Sequence, residues 1–210
     1  MTDKLKRRRL LQRGAAIIVT GLSSSLLAAT LTPTSTSGPF YPDIKAEDDD
    51  NNLISVKGQD RLALGEIAQL SGTVQDANGE PIADARVEIW QCDFNGRYRH
   101  SSEQAHHAMD QGFQGFGQSV TNASGEYAFT TIKPVRYPGR TPHIHFLVDI
   151  AGMGRLVSQL YVEGEAGNQS DFLYQRMSPE QRVLATTTFD DSNGAMKASF
   201  NIIVGAGNLA

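Results

Sequence analysis

From Gln69 onward, apolar and polar residues alternate in short runs. Leu70-Ser-Gly-Thr-Val74 and Ala85-Arg-Val-Glu-Ile-Trp90 send alternate side chains to one face, the period of a half-buried strand. Asn78-Gly79 lies between them as a tight-turn signal, which reads the two runs as a joined pair. The same pattern predicts strands over 117–121, 127–131, 143–150, 156–162 and 198–204, with Ser124-Gly125 marking a further turn. Only 178–184, opened by Ser-Pro-Glu-Gln, carries the start signals of a capped helix. Seven short strands with turn punctuation predict an all-β sandwich with one short helix and long loops. There is no internal repeat and no long amphipathic helix.

The chain before Gln69 follows different rules. Residues 4–13 are basic and 14–31 almost free of charge, the layout of an export signal. Arg7-Arg8-Arg9-Leu10-Leu11-Gln12 resembles a twin-arginine signal. Gly21 and Ser23 to Ser25 dilute the apolar stretch, which suits a removable signal better than a membrane anchor. The expected layout is a signal over 1–31, an arm and linker over 32–68, and the sandwich over 69–210. An exported protein, periplasmic or extracellular and without stable membrane insertion after processing, is the expectation. Within the arm, Gly38-Pro39-Phe40-Tyr41-Pro42 is a rigid aromatic turn suited to covering a pocket. The acidic run 47–50 reads as a solvated loop.

Charge narrows the partners. The 210 residues carry a formal net charge of −4. Beyond residue 30, 13 basic residues stand against 22 acidic ones, a formal −9. Phosphate neutralisation needs clustered Lys and Arg, so nucleic acid is excluded as a partner. The single cysteine, Cys92, rules out an intrachain disulfide and any multi-cysteine zinc or iron–sulfur site. It reads as a small buried hydrophobe.

The chemistry concentrates in Lys133-Pro-Val-Arg-Tyr137-Pro-Gly-Arg140-Thr-Pro-His143-Ile-His145-Phe146. Period two places His143 and His145 on one face of a strand, where both imidazoles can reach one point. Tyr137 and Arg140 add a phenol and a fixed cation. Tyr98, in Gly96-Arg-Tyr-Arg-His100, adds a second phenol in a loop among cations; these, and above all a trivalent metal, would favour its phenolate. Tyr98, Tyr137, His143 and His145 make an N2O2 donor set. Hard phenolate oxygens with imidazoles suggest ferric iron over zinc, while ligand type alone leaves copper and manganese open. His106 and His107 read as surface residues.

These stretches, with Val87-Glu-Ile-Trp-Gln-Cys-Asp-Phe-Asn-Gly-Arg-Tyr-Arg-His100, Thr131-Ile-Lys-Pro134 and Gln159-Leu-Tyr-Val-Glu-Gly164, resemble the intradiol ring-cleaving catechol dioxygenases. The protocatechuate 3,4-dioxygenase type is the nearest, over roughly residues 35–205. The resemblance implies Fe(3+) held by Tyr98, Tyr137, His143 and His145, with Tyr137 leaving when a catechol binds. It implies O2 attack on the bound ring and a cis,cis-muconate-type product, within aromatic compound catabolism. Arg140 matches the arginine that stabilises negative charge on the ring; the alternative reading of Arg140 is a structural ion-pair partner. Gln159 matches a pocket residue, and Gly38, Pro39 and Tyr41 match the segment that walls the substrate site. Such sandwiches usually assemble, so a homo-oligomer is implied. The loop between His100 and Gly117 is shorter than in the two-subunit protocatechuate enzymes, and the signal is unlike the cytoplasmic members. Both leave open which catechol is the substrate.

Two rivals share parts of the pattern. A cupin also uses His-x-His but adds a Glu and a later His; here Asp149 is the nearby acid and no His follows His145. The segment 70–89 resembles the first hairpin of transthyretin-like and carboxypeptidase-regulatory-like sandwich modules, which bind or brace without catalysis. That hairpin is shared scaffolding. The four metal ligands are what separate the two readings.

Overall fold

The computed structural model describes residues 30–43, 48, 50–104, 107–191 and 196–210. The export-signal region up to residue 29 and His106 lie outside the described residues. Two sheets face one another. The first joins β1 (Ile67–Asp76), β4 (Glu126–Ile132), β8 (Met196–Ser199) and β9 (Ile202–Val204), with β1 central. The second runs in the order β3 (Phe116–Val120), β2 (Arg86–Trp90), β5 (His143–Ile150), β6 (Gly154–Val162), β7 (Thr186–Thr187). The chain is an all-β sandwich, as the alternation predicts. Leu70, Val74, Phe129 and Ile202 of the first sheet share one buried core with Val87, Ile89, Ile144, Phe146 and Leu160 of the second. Each such side chain contributes about 1.5–3 kcal/mol by leaving water.

Three details differ from the sequence pattern. Asn78-Gly79 does form a tight turn, with Gly79 at φ 87° and its N–H donating to Asp76 O at 3.0 Å. The pairing stops at Gln75–Pro81, however, and the chain crosses to the other sheet. β1 and β2 are therefore not a hairpin pair. Pro81 cannot donate to a longer ladder, and the apolar faces of the two strands meet across the core instead. The last strand is split, because Asn201 Oδ1 takes the Thr73 N–H between β8 and β9. Gly72 permits that close approach, since a Cβ there would lie 1.8 Å from Phe200 O. Finally, the capped helix α2 (Pro179–Leu184) is preceded by a second helix, α1 (Phe172–Arg176), and a 3-10 turn, Ala166–Gln169. Five residues are too few to show an apolar period. Asp171 caps α1 by accepting from Leu173 N and Tyr174 N.

The arm is part of the fold. Thr32 exchanges hydrogen bonds with Ile203 and is held by Asn208. Ser35 N donates to Val157 O at 2.8 Å, so the arm follows β6 before crossing the second sheet. Of the acidic run, Asp48 accepts from Lys57 N and Asp50 accepts from Asn52 N and Gln114 Nε2, so these two tie loops together rather than merely facing solvent. Among the described residues, no helix is long and apolar enough to cross a membrane.

Candidate metal centre

Strand β5 is buried on both faces over its first four residues. Ile144 and Phe146 enter the sandwich core, while His143 and His145 turn to the opposite face. There the two Nε2 atoms lie 3.2 Å apart. His143 Nδ1 donates to Thr141 O at 2.7 Å, which fixes its tautomer and leaves Nε2 as a bare lone pair. Trp90, opposite His145 on the neighbouring strand, stacks flat on its ring with centroids 4.8 Å apart. Both imidazoles are held neutral. Burial, with Arg140 adding to it, lowers the His143 pKa to about 4. Burial, then His143 and Arg140, holds His145 well below the usual imidazole range.

Two loops bring in the phenols. The loop after β2 delivers Tyr98, and the loop before β5 delivers Tyr137. Their rings meet edge to face at 5.3 Å, with Tyr137 5.5 Å from His143 and Tyr98 6.2 Å from His145. Tyr98 is 2% exposed, and its hydroxyl has no hydrogen-bond partner among the described residues. The cations beside it turn away: Arg97 donates to His107 O and Arg99 to Phe113 O. Burial therefore dominates and raises the Tyr98 phenol well above its ordinary pKa, so its basic neighbours alone do not make it a phenolate and a bound cation would have to. Burial also raises Tyr137, with Arg140 opposing it.

The donor chemistry fits a metal cation. A buried phenol oxygen without a partner is costly, and a cation displacing its proton would satisfy it. Two nitrogens bound at about 2 Å to one ion at near right angles lie about 3 Å apart, close to the observed separation. For His145 an ion on Nε2 would leave the proton on Nδ1, which is buried without a hydrogen-bond partner among the described residues. Among the described residues no third His, Cys, Asp or Glu joins the pair. The remaining donors at hand are phenolic oxygens, which suits a hard, high-valent ion and leaves a cupin-type carboxylate set without candidates.

The other residues singled out by the sequence have distinct places. Arg140 Nη2 donates to Gln159 Oε1 at 2.7 Å, while Nη1 lies 3.4 Å from His143 Nε2. Gln159, opposite His145 on β6, donates through Nε2 to Thr36 O. Gly38 has φ 68°, and a Cβ there would lie 3.4 Å from His145 Cε1. Pro39 is exposed. Tyr41 lies behind Trp90, edge-on at 5.0 Å, and its hydroxyl donates to buried Glu88 at 2.8 Å. Phe40 is the arm residue against the ligand rings, stacked on Tyr98 at 4.9 Å and edge-on to Tyr137 at 6.3 Å. His107 is exposed. Cys92 is buried beside these rings, its thiol pushed up to about 12 chiefly by burial.

Three members escaped the sequence reading. Phe40 lay inside the arm motif without being separated from Tyr41. Tyr161, paired with His143 in the ladder, donates to Gln159 Oε1; period two from Gln159 could have found it. Asp171 bonds Arg140 Nε at 2.7 Å across 31 residues, a partnership with no local signal.

Fold and donor set together define a β-sandwich protein with a two-histidine, two-tyrosine centre on the outer face of one sheet. Residues 36–206 match the family model described as Dioxygenase. The chain belongs to the intradiol ring-cleavage dioxygenase family. It is 36% identical over 155 residues to the protocatechuate 3,4-dioxygenase beta chain of Burkholderia cepacia, covering 67% of this chain and 65% of that one. It is 32% identical over 146 residues to a hydroxyquinol 1,2-dioxygenase of Corynebacterium glutamicum, covering 61% and 45%. The match thus spans less than two thirds of the length of these curated relatives. An intradiol ring-cleavage dioxygenase from Tetranychus urticae has a similar fold, with a TM-score of 0.69 at 21% identity, over 87% of this chain and 98% of that one.

Proposed function

We propose that this protein is a non-haem Fe(III) dioxygenase that cleaves a catechol-type ring between its two hydroxyl-bearing carbons. Both atoms of O2 would enter a cis,cis-muconate-type product. The observation that carries the reading is the convergence of Tyr98, Tyr137, His143 and His145, with the Arg140 guanidinium at their edge. Tyr98 and Tyr137 Oη with His143 and His145 Nε2 would hold the ion. When bound, ferric iron would supply a Lewis acid that makes a catechol ring electron-poor toward O2.

The chain's own residues do the rest. The family resemblance implies that Tyr137 is the tyrosine that leaves and takes a catechol proton on Oη, and its greater exposure than Tyr98 agrees with that role. Arg140 Nη1 offers a fixed positive charge to negative charge developing on the ring, an effect worth several kcal/mol in a dry site. Phe40 and Trp90 keep water from the ligand rings. The relatives include proteins named for protocatechuate and for hydroxyquinol, which supports an ortho-dihydroxy substrate without choosing its substituent. The basic, then apolar residues 1–31 support export to the periplasm or beyond. The non-catalytic sandwich-module reading gives no role to four converging donors.

The test is oxygen uptake by the iron-loaded protein with catechol, protocatechuate and hydroxyquinol, read beside its visible absorption. The expected result is a wine-red protein that consumes one O2 per catechol, with Tyr137→Phe slowed at least tenfold. A colourless protein at full iron occupancy would sink the tyrosinate assignment, and rapid turnover by a Tyr98→Phe, His143→Ala double variant would overturn the site.

A further inference from the structure

Arg140 is long and flexible, yet its direction is set from outside the ligand cluster. Asp171 Oδ2 accepts from Arg140 Nε at 2.7 Å and from Thr141 N at 3.1 Å. Asp171 Oδ1 accepts from Leu173 N and Tyr174 N, both at 3.1 Å. The carboxylate is fully enclosed and the Arg140 side chain is 8% exposed. Although burial opposes its charge, the Arg140 hydrogen bond and the backbone donors hold the Asp171 pKa below the ordinary carboxylate value. Nη2 donates to Gln159 Oε1 and to the Tyr161 hydroxyl. With Nε and Nη2 fixed, the plane is fixed, and Nη1 is turned to His143 Nε2.

The segment that carries Asp171 is itself tied to the residue after Arg140. Thr141 Oγ1 donates to Asn168 Oδ1 at 2.8 Å, and Asn168 Nδ2 donates to Val162 O. Gly167 packs so closely on Thr141 that a Cβ would lie 2.8 Å from its Oγ1. The 3-10 turn and the start of α1 thus grip both the backbone and the side chain of the Arg140-Thr141 pair.

We infer that Asp171 is a positioning residue for ring cleavage: it holds the Arg140 guanidinium so that Nη1 faces the substrate side of the metal centre. The inference rests on the role proposed for Arg140 above. A fixed cation stabilises developing charge without reorganising during the reaction, whereas a free one must first be ordered.

Asp171→Asn separates this role from helix capping. An Asn can keep Oδ1 on Leu173 and Tyr174, but its NH2 then faces the Arg140 Nε–H and Thr141 N–H, both donors. The measurements use the full iron-loaded chain: iron content, an anaerobic catechol titration followed by visible absorption, and steady-state kcat and KM for catechol. For Asp171→Asn we expect unchanged iron content, a catechol Kd within about threefold of wild type, and kcat lower by roughly 30- to 100-fold. In an Arg140→Ala background the same substitution is expected to cost less than about twofold more, because there is no guanidinium left to place. A kcat within about threefold of wild type, or losses that multiply in the double variant, would overturn the role. If the Asn variant does not fold, Asp171→Glu, which keeps the charge but shifts its oxygens, is judged by the same two criteria. A wild-type chain that takes up no oxygen would instead overturn the proposed reaction, and this role with it; an active wild type beside an equally active variant overturns this role alone.

Discussion

Tyr98 buries its phenol among Cys92, Trp90 and Phe116, under the Phe40 ring, and leaves its hydroxyl without a partner among the described residues. In a protein built only for stability that hydroxyl is a defect, costing about 1–3 kcal/mol. Tyr98→Phe is therefore expected to raise the melting midpoint of the metal-free protein by a few degrees, using about 2–4 °C per kcal/mol at this chain length. The same variant is expected to lose iron retention after gel filtration. A lower midpoint for the metal-free variant would mean that the hydroxyl is already satisfied, and the metal argument would lose its main support. The same residue shows the limit of local reading. Its sequence neighbours are cationic, but adjacent side chains in extended chain point apart, so Arg97 and Arg99 serve other carbonyls.

At the scale of elements, β5 and two loops make the site, and the arm lies over it. The alternation His-Ile-His-Phe assigns two faces to β5 without any help from the rest of the chain. The outer face is buried by Trp90, Tyr98 and Tyr137 and by the arm, which is pinned at Thr32 and Ser35 and again where Tyr41 meets Glu88. Gly38 is the residue that lets the arm turn over His145. Gly38→Ala adds the strain of a left-handed residue, about 1–2 kcal/mol, and a methyl group against the imidazole. Gly79→Ala is the matched control, since Gly79 is also left-handed (φ 87°) but a Cβ there would meet nothing within 4 Å. Both variants should melt a few degrees lower, while only Gly38→Ala should lose iron affinity, read by competition with a chelator. Equal iron affinity in the two would remove the arm from the metal centre.

For the whole molecule, the buried histidines make stability depend on pH. The folded pKa of His143 is about 4 and that of His145 is also depressed, against about 6.5 unfolded. Unfolding therefore takes up protons in acid. The stabilising effect of keeping these rings neutral is fully present above about pH 6.5 and is lost as pH falls toward 4. His143 alone accounts for on the order of 3 kcal/mol between pH 7 and 4. Urea midpoints of the metal-free protein at pH 7, 5.5 and 4 should fall in that order. A flat profile would show that the imidazoles are not enclosed as described.

Alternation along each segment placed seven strand runs, the core-facing residues of β5, and His143 and His145 on a common side. Those follow from a period of two, which each segment obeys alone. The sequence also showed the donor types, two imidazoles and two phenols, from which ferric iron is proposed. Packing settled which sheet each strand joins: β1 and β2 lie in different ones, because partner choice depends on where apolar faces can meet and not on the turn between them. It decided that Phe40 rather than Tyr41 touches the ligand rings, and that Asp171 and Tyr161 join Arg140 and Gln159. Hydrogen bonds spanning 21 and 31 residues leave no mark on local spacing. The histidine pair was written in one strand; the charge beside it was placed by the packing of the rest.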